Sequence, residues 1–245
     1  MQLQFVGCGD AFGSGGRFNT CFHVTGTRTN FLIDCGASSL IALKGLGIAL
    51  NEIQAILVTH FHADHFGGLP FFMLESQFFS KRTQPLVVAG PPGLKDWYLR
   101  VMETSFPGSS KTKQKFDLEL RELKPGEETE VAGVTVTPHL VKHGQPDGPF
   151  FALRIRAEDR VVTYTGDTEW TDTLIPAAKD ADLFVAEAYF RDKAVPLHLD
   201  LATLENHLPE IGAKKVVLTH MSDDMLKQVD ELAYETAEDG KVVAF

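Results

Sequence analysis

Residues 59–68 concentrate side chains that bind metals. The segment reads Thr-His-Phe-His-Ala-Asp-His-Phe-Gly-Gly and contains four potential ligands within six positions: His60, His62, Asp64 and His65. Imidazole and carboxylate groups together are the ligands expected for zinc or a similar divalent metal. The segment follows an apolar run, 53–58, that is typical of a buried strand. Because alternate residues at a strand end face the same side, this spacing favours a metal site over a loop that is merely rich in histidine.

Further ligands are expected where other apolar runs end, because strands deliver the next polar residue to a common edge. Three residues have this position: His143, Asp167 and His220. A single histidine is most often an ordinary surface or core residue, but the shared position after a strand favours all three as ligands. His139 competes with His143 but falls inside its strand, so it ranks second. We assign His23 and His207 no role in the site.

The composition indicates a globular enzyme of a reducing compartment. A chain of 245 residues with 44% hydrophobic residues is expected to form one domain, 1–245. It has no apolar stretch of membrane-spanning length and begins without a basic leader, which predicts a cytoplasmic protein with no membrane partner. Its three cysteines, Cys8, Cys21 and Cys35, are odd in number and read as buried thiols.

The charge distribution leaves one question about substrate contacts open. A formal net charge of −10 does not favour a nucleic-acid-binding protein. Lys111, Lys113 and Lys115 nevertheless alternate within a polar stretch. This stretch is either a solvated loop or a contact for a phosphate-bearing substrate, and the sequence does not decide between them.

Strands and helices alternate along two strand-rich halves, which predicts two sheets packed face to face with helices outside. Segment 131–141 reads as one strand and 224–232 as one helix, and Asp200 is a candidate N-cap for a helix at 201–208. Segment 69–79 reads as a helix beneath the metal site. We expect its aromatic residues to belong to the core, including Phe71, Phe78 and Phe79.

These motifs together resemble the metallo-β-lactamase-fold hydrolases and, within them, the ribonuclease Z-like phosphodiesterases. The His-x-His-x-Asp-His motif is specific for the superfamily. The segment Gly7-Cys-Gly-Asp-Ala-Phe-Gly resembles the glycine-rich loop of the subgroup, and Gly90-Pro91 resembles its Gly-Pro turn. The resemblance covers nearly the whole chain. It implies an α/β (α+β) fold, a four-layer αββα sandwich with the metals at one edge of the two sheets.

The resemblance also implies a ligand set for two metals. One ion would be held by His60, His62 and His143, and the other by Asp64, His65 and His220, with Asp167 bridging both. Zinc is expected, with manganese or iron as alternatives. Two metals that share a carboxylate can bridge a water and lower its pKa, so that hydroxide attacks phosphorus in line. Asp64 is expected to help orient this hydroxide in addition to binding metal.

Glu187 and His198 resemble a second pair of ribonuclease Z motifs, in Ala186-Glu187-Ala188-Tyr189-Phe190 and His198-Leu199-Asp200. In that family a carboxylate orients a histidine that does not bind metal. An imidazole held by Glu187 keeps one tautomer and a raised pKa, so it can protonate the leaving oxygen. The alternative is that Glu187 caps a strand and His198 lies in a surface turn. Their occurrence together, in this order, favours the catalytic interpretation.

One departure from the family bears on the substrate. Ribonuclease Z carries a long arm that grips transfer RNA, and segment 92–130 is too short for a full arm of this kind. We therefore expect a binuclear metal-dependent phosphodiesterase that acts on a small phosphodiester. The alternatives are a transfer-RNA 3′-processing endoribonuclease and a lactone or ester hydrolase on the same fold. A binding module without catalysis is disfavoured because the ligand set is complete. The sequence leaves a homodimer open.

Overall fold

The computed structural model describes residues 1–144 and 149–245. In this part of the chain the strands are β1 (Gln2–Gly7), β2 (Cys21–Thr25), β3 (Asn30–Ile33), β4 (Ala55–Leu57), β5 (Leu86–Gly90), β6 (Leu118–Glu122), β7 (Thr129–Val131), β8 (Val134–Val141), β9 (Phe150–Ala157), β10 (Arg160–Tyr164), β11 (Leu183–Glu187), β12 (Val216–Thr219), β13 (Glu235–Thr236) and β14 (Val242–Ala244). The α-helices are α1 (Ser39–Gly45), α2 (Ala63–Phe66), α3 (Leu69–Phe78), α4 (Leu94–Ser105), α5 (Leu174–Ala178), α6 (Leu201–Ile211) and α7 (Asp223–Leu226).

The strands form two seven-stranded sheets within the described ranges. The first sheet has the order β14-β1-β2-β3-β4-β5-β6, and the second has the order β13-β12-β11-β10-β9-β8-β7. One apolar cluster fills the space between the sheets. Two more lie between each sheet and the helices on its outer face. The predicted four-layer αββα sandwich of the α/β (α+β) class is confirmed.

The strand β4 shows why the run 53–58 is apolar throughout. Leu57 packs between the two sheets, whereas Ile56 packs among the side chains of the outer helices. β4 pairs in parallel with β3 on one side and β5 on the other. A strand that is buried on both faces needs apolar residues at every position.

The parallel strands of both sheets carry polar residues at their carboxyl ends. β3 and β4 are parallel and are followed by Asp34 and His60. In the second sheet β10, β11 and β12 are parallel. Asp167 follows β10, Glu187 ends β11, and His220 follows β12. The fold therefore delivers these five side chains to one edge of the sandwich, where ligands bind in sheets of this kind.

The prediction that the aromatic residues of segment 69–79 belong to the core is wrong for three of them. Phe72 is buried, but Phe71, Phe78 and Phe79 are exposed, Phe79 to 80%. A helix on the surface of a sheet buries only one face. α3 has apolar residues on its outer face as well, so its sequence did not distinguish the two faces.

Two further predictions of single elements are wrong, and one helix cap is confirmed. Segment 131–141 contains a hairpin, because the chain turns between β7 and β8 at Ala132 and Gly133, both with positive φ. Segment 224–232 contains the short α7 and then a single 3₁₀ turn, Val229–Glu231. Asp200 does cap α6, where its side chain accepts a hydrogen bond from Thr203 N over 2.8 Å.

No helix of the described residues is long and apolar enough to cross a membrane.

Candidate metal centre

Three imidazoles form a first cluster, defined as His60, His62 and His143. The first two follow β4, and the third follows β8. Their ring centroids lie 4.7 to 5.0 Å apart. His60 and His143 are buried, whereas His62 is exposed. The first cluster therefore opens to solvent on the side of His62.

A second cluster lies at the same edge and consists of four buried residues: Asp64, His65, Asp167 and His220. His62 is the N-cap residue of α2, so Asp64 and His65 lie within the short helix that follows it. The two oxygens of Asp167 face different partners. Oδ1 lies 3.1 Å from His65 Nε2, and Oδ2 lies 3.2 Å from His220 Nε2.

Asp167 also reaches the first cluster. Its Oδ2 lies 3.6 Å from Nε2 of His143, in addition to its contact with His220. A carboxylate in this position has ligands of both clusters within reach. This is the arrangement that a bridging carboxylate requires.

Several donor atoms of the clusters lack hydrogen bonds to any described residue. His60 Nε2, His65 Nε2 and Asp167 Oδ1 are all buried and unpaired. The latter two atoms lie only 3.1 Å apart. Because buried polar atoms are nearly always paired, a shared ligand accounts for this arrangement. Nitrogen and carboxylate donors that converge in this way fit a divalent metal such as zinc.

The outer nitrogens of these imidazoles are held by other parts of the chain. Nδ1 of His65 donates to Asp34 Oδ2 over 2.7 Å. Nδ1 of His143 donates to the carbonyl of Leu197 over 2.8 Å. Such bonds fix the ring orientation and direct the Nε2 lone pair of each ring towards its cluster.

Electrostatics favour metal binding in both clusters. In the first cluster, burial lowers the pKa of His60 well below its ordinary value, which keeps a lone pair available. Burial alone would raise the pKa of Asp64, but His65 and His220 outweigh it and hold that pKa well below its usual range. Burial would likewise lower the pKa of His65, yet Asp167 and Asp64 raise it. The carboxylates therefore attract positive charge to this point.

Glu187 and His198 form a pair beside the clusters. Glu187 is fully buried, and its Oε1 accepts a hydrogen bond from Nδ1 of His198. Its Oε2 accepts the N–H groups of Thr168 and Leu199 over 2.8 and 3.3 Å. The His198 side chain is 21% exposed, and its ring lies 5.0 Å from that of His143. Since Glu187 holds Nδ1, Nε2 is the nitrogen that can contact a bound ligand.

Comparisons with known proteins place the chain in a family. The family described as Anti-Pycsar protein Apyc1 matches residues 1–241. The chain belongs to this family. The Ribonuclease Z of Methanosarcina acetivorans is 24% identical to this Apyc1-family chain, over 95% of the chain and 91% of the relative.

Solved structures show the same fold. The human tRNase Z, short form, has a TM-score of 0.81 and 24% identity to this family member, and the match covers 100% and 99% of the two chains. The metallo-β-lactamase fold protein YhfI from Bacillus subtilis has a TM-score of 0.78 and 21% identity, with 99% of each chain covered. The Apyc1-family chain is thus a metallo-β-lactamase-fold, ribonuclease Z-like, metal-dependent hydrolase, and these predictions are confirmed.

All seven residues predicted as metal ligands lie in the two clusters, and their roles as ligands stay a prediction. His139 lies in β8 and in neither cluster. His23 bonds to Asn30, and His207 stacks on Trp170 at 3.7 Å. None of these three histidines contributes to the clusters formed by the described residues.

The lysine run lies on the outer helical layer. Gln77 of α3 donates its side-chain amide to the carbonyl of Lys113 and accepts the N–H of Lys115. Lys111 ends the short turn after α4. Whether Lys111, Lys113 and Lys115 contact a substrate stays open.

Sequence reasoning missed Asp34. Its carboxylate accepts the N–H and the hydroxyl of Thr59 as well as His65 Nδ1. The signal was present, because Asp34 ends an apolar strand in the same way that Asp167 follows one. It was overlooked because Asp34 lies far in sequence from the histidine motif.

Proposed function

We propose that this family member hydrolyses a small phosphodiester with two divalent metals, most simply zinc. The first cluster would hold one ion, and Asp64, His65 and His220 would hold the other, with Asp167 shared between them. When bound, such metals lower the pKa of a water and offset negative charge on phosphate oxygens. The convergent, unpaired donors of both clusters support this assignment.

The observation that carries the proposal is the contact between Glu187 and His198 beside the ligand clusters. Hydrolysis forms a bond from phosphorus to a water oxygen and breaks the bond from phosphorus to the leaving oxygen, which then needs a proton. Burial alone would lower the pKa of His198, but Glu187 outweighs it and raises that pKa. His198 can therefore hold a proton near neutral pH and deliver it from Nε2 to the leaving oxygen.

Asp64 has a second role in this proposal. Its Oδ2 lies 3.3 Å from His65 Nε2 and 3.4 Å from His220 Nε2, so it lies within the second cluster. Its depressed pKa keeps it ionised. An ionised carboxylate at this point accepts a hydrogen bond from the attacking water and orients it towards phosphorus.

The preference for a small substrate rests on segment 92–130. It comprises α4, a short turn and β6, and β6 pairs with β5 along the edge of the first sheet. The structure describes every residue of this segment and shows no extended arm in it. With a net charge of −10, the chain also offers little attraction for a long polyanion.

Transfer-RNA 3′ processing is the second candidate. The relative from M. acetivorans is named Ribonuclease Z and aligns with 95% of this chain. An ester or lactone hydrolase is a third candidate, because the same donors and the same water suit attack on an acyl carbon.

A substrate screen separates these candidates. Metal-loaded protein is assayed with bis-nitrophenyl phosphate, cyclic nucleotides, precursor transfer RNA, lactones and nitrocefin. The proposal expects turnover of the small phosphodiesters above all others. Turnover confined to lactones would refute phosphodiester hydrolysis while leaving the metal site intact.

We further propose that the protein forms a homodimer through an aromatic face, defined as Phe71, Phe78 and Phe79. These side chains are exposed on the outer side and at the end of α3. Exposed aromatic residues that lie on one layer of a fold commonly mark an interface. The aromatic face lies in the outer layer of the first sheet.

We also propose a cytoplasmic location. Cys8, Cys21 and Cys35 are all buried free thiols, as expected for a reducing compartment. Burial raises the pKa of Cys35 to about 12, which makes it unreactive at neutral pH.

A further inference from the structure

The glycine-rich loop after β1 has a fixed shape that the catalytic proposal does not explain. Asp10 is fully buried and holds the loop from inside. Its Oδ1 accepts the N–H groups of Phe12 and Ser14 over 3.1 and 3.0 Å, and its Oδ2 accepts the Ser14 hydroxyl over 2.7 Å. The N–H of His220 donates to the carbonyl of Cys8 over 3.2 Å. The loop is therefore anchored directly beside the second cluster.

Tyr189 connects this loop to the predicted proton donor. Its ring stacks on that of His198, with centroids 4.6 Å apart and planes at 26°. Its N–H donates to the carbonyl of Leu199 over 2.8 Å, and its carbonyl accepts the N–H of Ser222 over 3.1 Å. Tyr189 is thus held on both sides by segments that carry residues of the site.

Asp10 lies beside the other end of Tyr189. Burial and the neighbouring carboxylate of Asp10 raise the pKa of Tyr189 to about 12. The hydroxyl of Tyr189 therefore stays protonated at neutral pH.

His198 needs such a support. Its hydrogen bond to Glu187 holds one edge of the imidazole and covers neither face of the ring. The ring of His220 is nearly parallel to it but lies 5.8 Å away, and the ring of His143 meets it edge-on at 5.0 Å. Tyr189 is the nearest of these rings and the one that covers a face of the imidazole.

We propose that Tyr189 is a positioning residue for His198: the Tyr189 ring prevents the imidazole from pivoting about its bond to Glu187. The inference rests on the proposed role of His198 as proton donor. Misplacement of a proton donor lowers the rate of proton transfer and leaves substrate binding unchanged.

The test compares Tyr189→Phe and Tyr189→Leu with Phe190→Leu as a matched control. Phe190 is the next residue and contacts the Tyr189 ring at 4.9 Å. Each metal-loaded variant is assayed with one diester that has a nitrophenolate leaving group and one that has an alkoxide leaving group. For Tyr189→Leu we expect roughly a tenfold lower kcat on the alkoxide substrate, a smaller loss on the nitrophenolate, and unchanged KM and metal content. Tyr189→Phe and Phe190→Leu should stay within about twofold of the wild type.

Several results would overturn the inference. Equal losses of kcat on both substrates, loss of metal, or a Tyr189→Phe variant as slow as Tyr189→Leu would each contradict it. If Tyr189→Leu does not fold, Tyr189→Met is assayed in its place, because methionine fills irregular space without a flat face. His198→Ala distinguishes failure of the proton-donor role from failure of the positioning role. If the rate loss of His198→Ala does not depend on the leaving group, His198 is not the proton donor. If that loss does depend on the leaving group but the loss of Tyr189→Leu does not, only the positioning role of Tyr189 fails.

Discussion

The carboxylate of Asp34 accepts a hydrogen bond from Nδ1 of His65 over 2.7 Å, on the side of the ring that faces away from Asp167. The same carboxylate accepts the N–H and the hydroxyl of Thr59 over 2.7 and 2.8 Å. Asp34 itself has a φ of 59°, which few non-glycine residues adopt. The fold therefore retains an unfavourable backbone conformation at a residue that ties the loop before His60 to the helix that carries His65.

Asp34→Asn is expected to weaken metal binding by about 10- to 100-fold, because the amide no longer fixes the tautomer and orientation of His65. Affinity is measured by competition with a chelator. Asp182→Asn is the matched control, since Asp182 is also a buried acid but bonds to Val161 N and Lys214. Similar weakening in both variants would show a general loss of stability instead.

Asp167→Ala is expected to lower both the metal content and the rate, because it removes the carboxylate that lies between the two clusters. Elemental analysis of the reloaded protein measures the metal content. The wild type should carry two equivalents. Asp172→Ala, in the same loop but exposed, should match the wild type. A wild type that never exceeds one equivalent would rule out the binuclear arrangement.

His198→Ala is expected to retain its metal and to lose about a hundredfold or more in turnover, the usual scale of general-acid catalysis. The loss should shrink for a nitrophenolate leaving group, which needs no proton. Steady-state kinetics with good and poor leaving groups, together with metal analysis, provide the measurement. Loss of metal would instead make His198 a ligand.

Phe78→Glu is expected to convert the proposed dimer to a monomer, because it places a charge in the aromatic face. Analytical ultracentrifugation measures the oligomeric state. Leu140→Glu, an exposed apolar position on the second sheet, should leave the dimer intact. A wild-type protein that sediments as a monomer would refute the dimer without affecting the catalytic proposal.

Three residues of the two clusters could be found from the sequence because each follows an apolar run that ends at the same edge of the sandwich. His143, Asp167 and His220 lie far apart in the chain, yet strand order alone brings them together. Asp34 also follows an apolar strand, but no residue near it in the sequence suggested a metal site, so it was not predicted.

Other features depended on tertiary contacts that the sequence does not encode locally. α3 is apolar on both faces, so its periodicity did not reveal that Phe78 and Phe79 face outwards. The hairpin between β7 and β8 turns at Ala132-Gly133, a pair that gave only a weak turn signal. The stacking of Tyr189 on His198 joins residues of different segments and could be seen only in the structure.

The most direct test of the central claim compares a small phosphodiester with precursor transfer RNA. The value of kcat/KM for bis-nitrophenyl phosphate or a cyclic nucleotide is measured with metal-loaded protein at about 50 and about 200 mM salt, where binding of long polyanions falls steeply. The account predicts appreciable turnover of the small substrate, weak dependence on salt and poor cleavage of precursor transfer RNA. Efficient, site-specific removal of the 3′ trailer by the protein alone would contradict it.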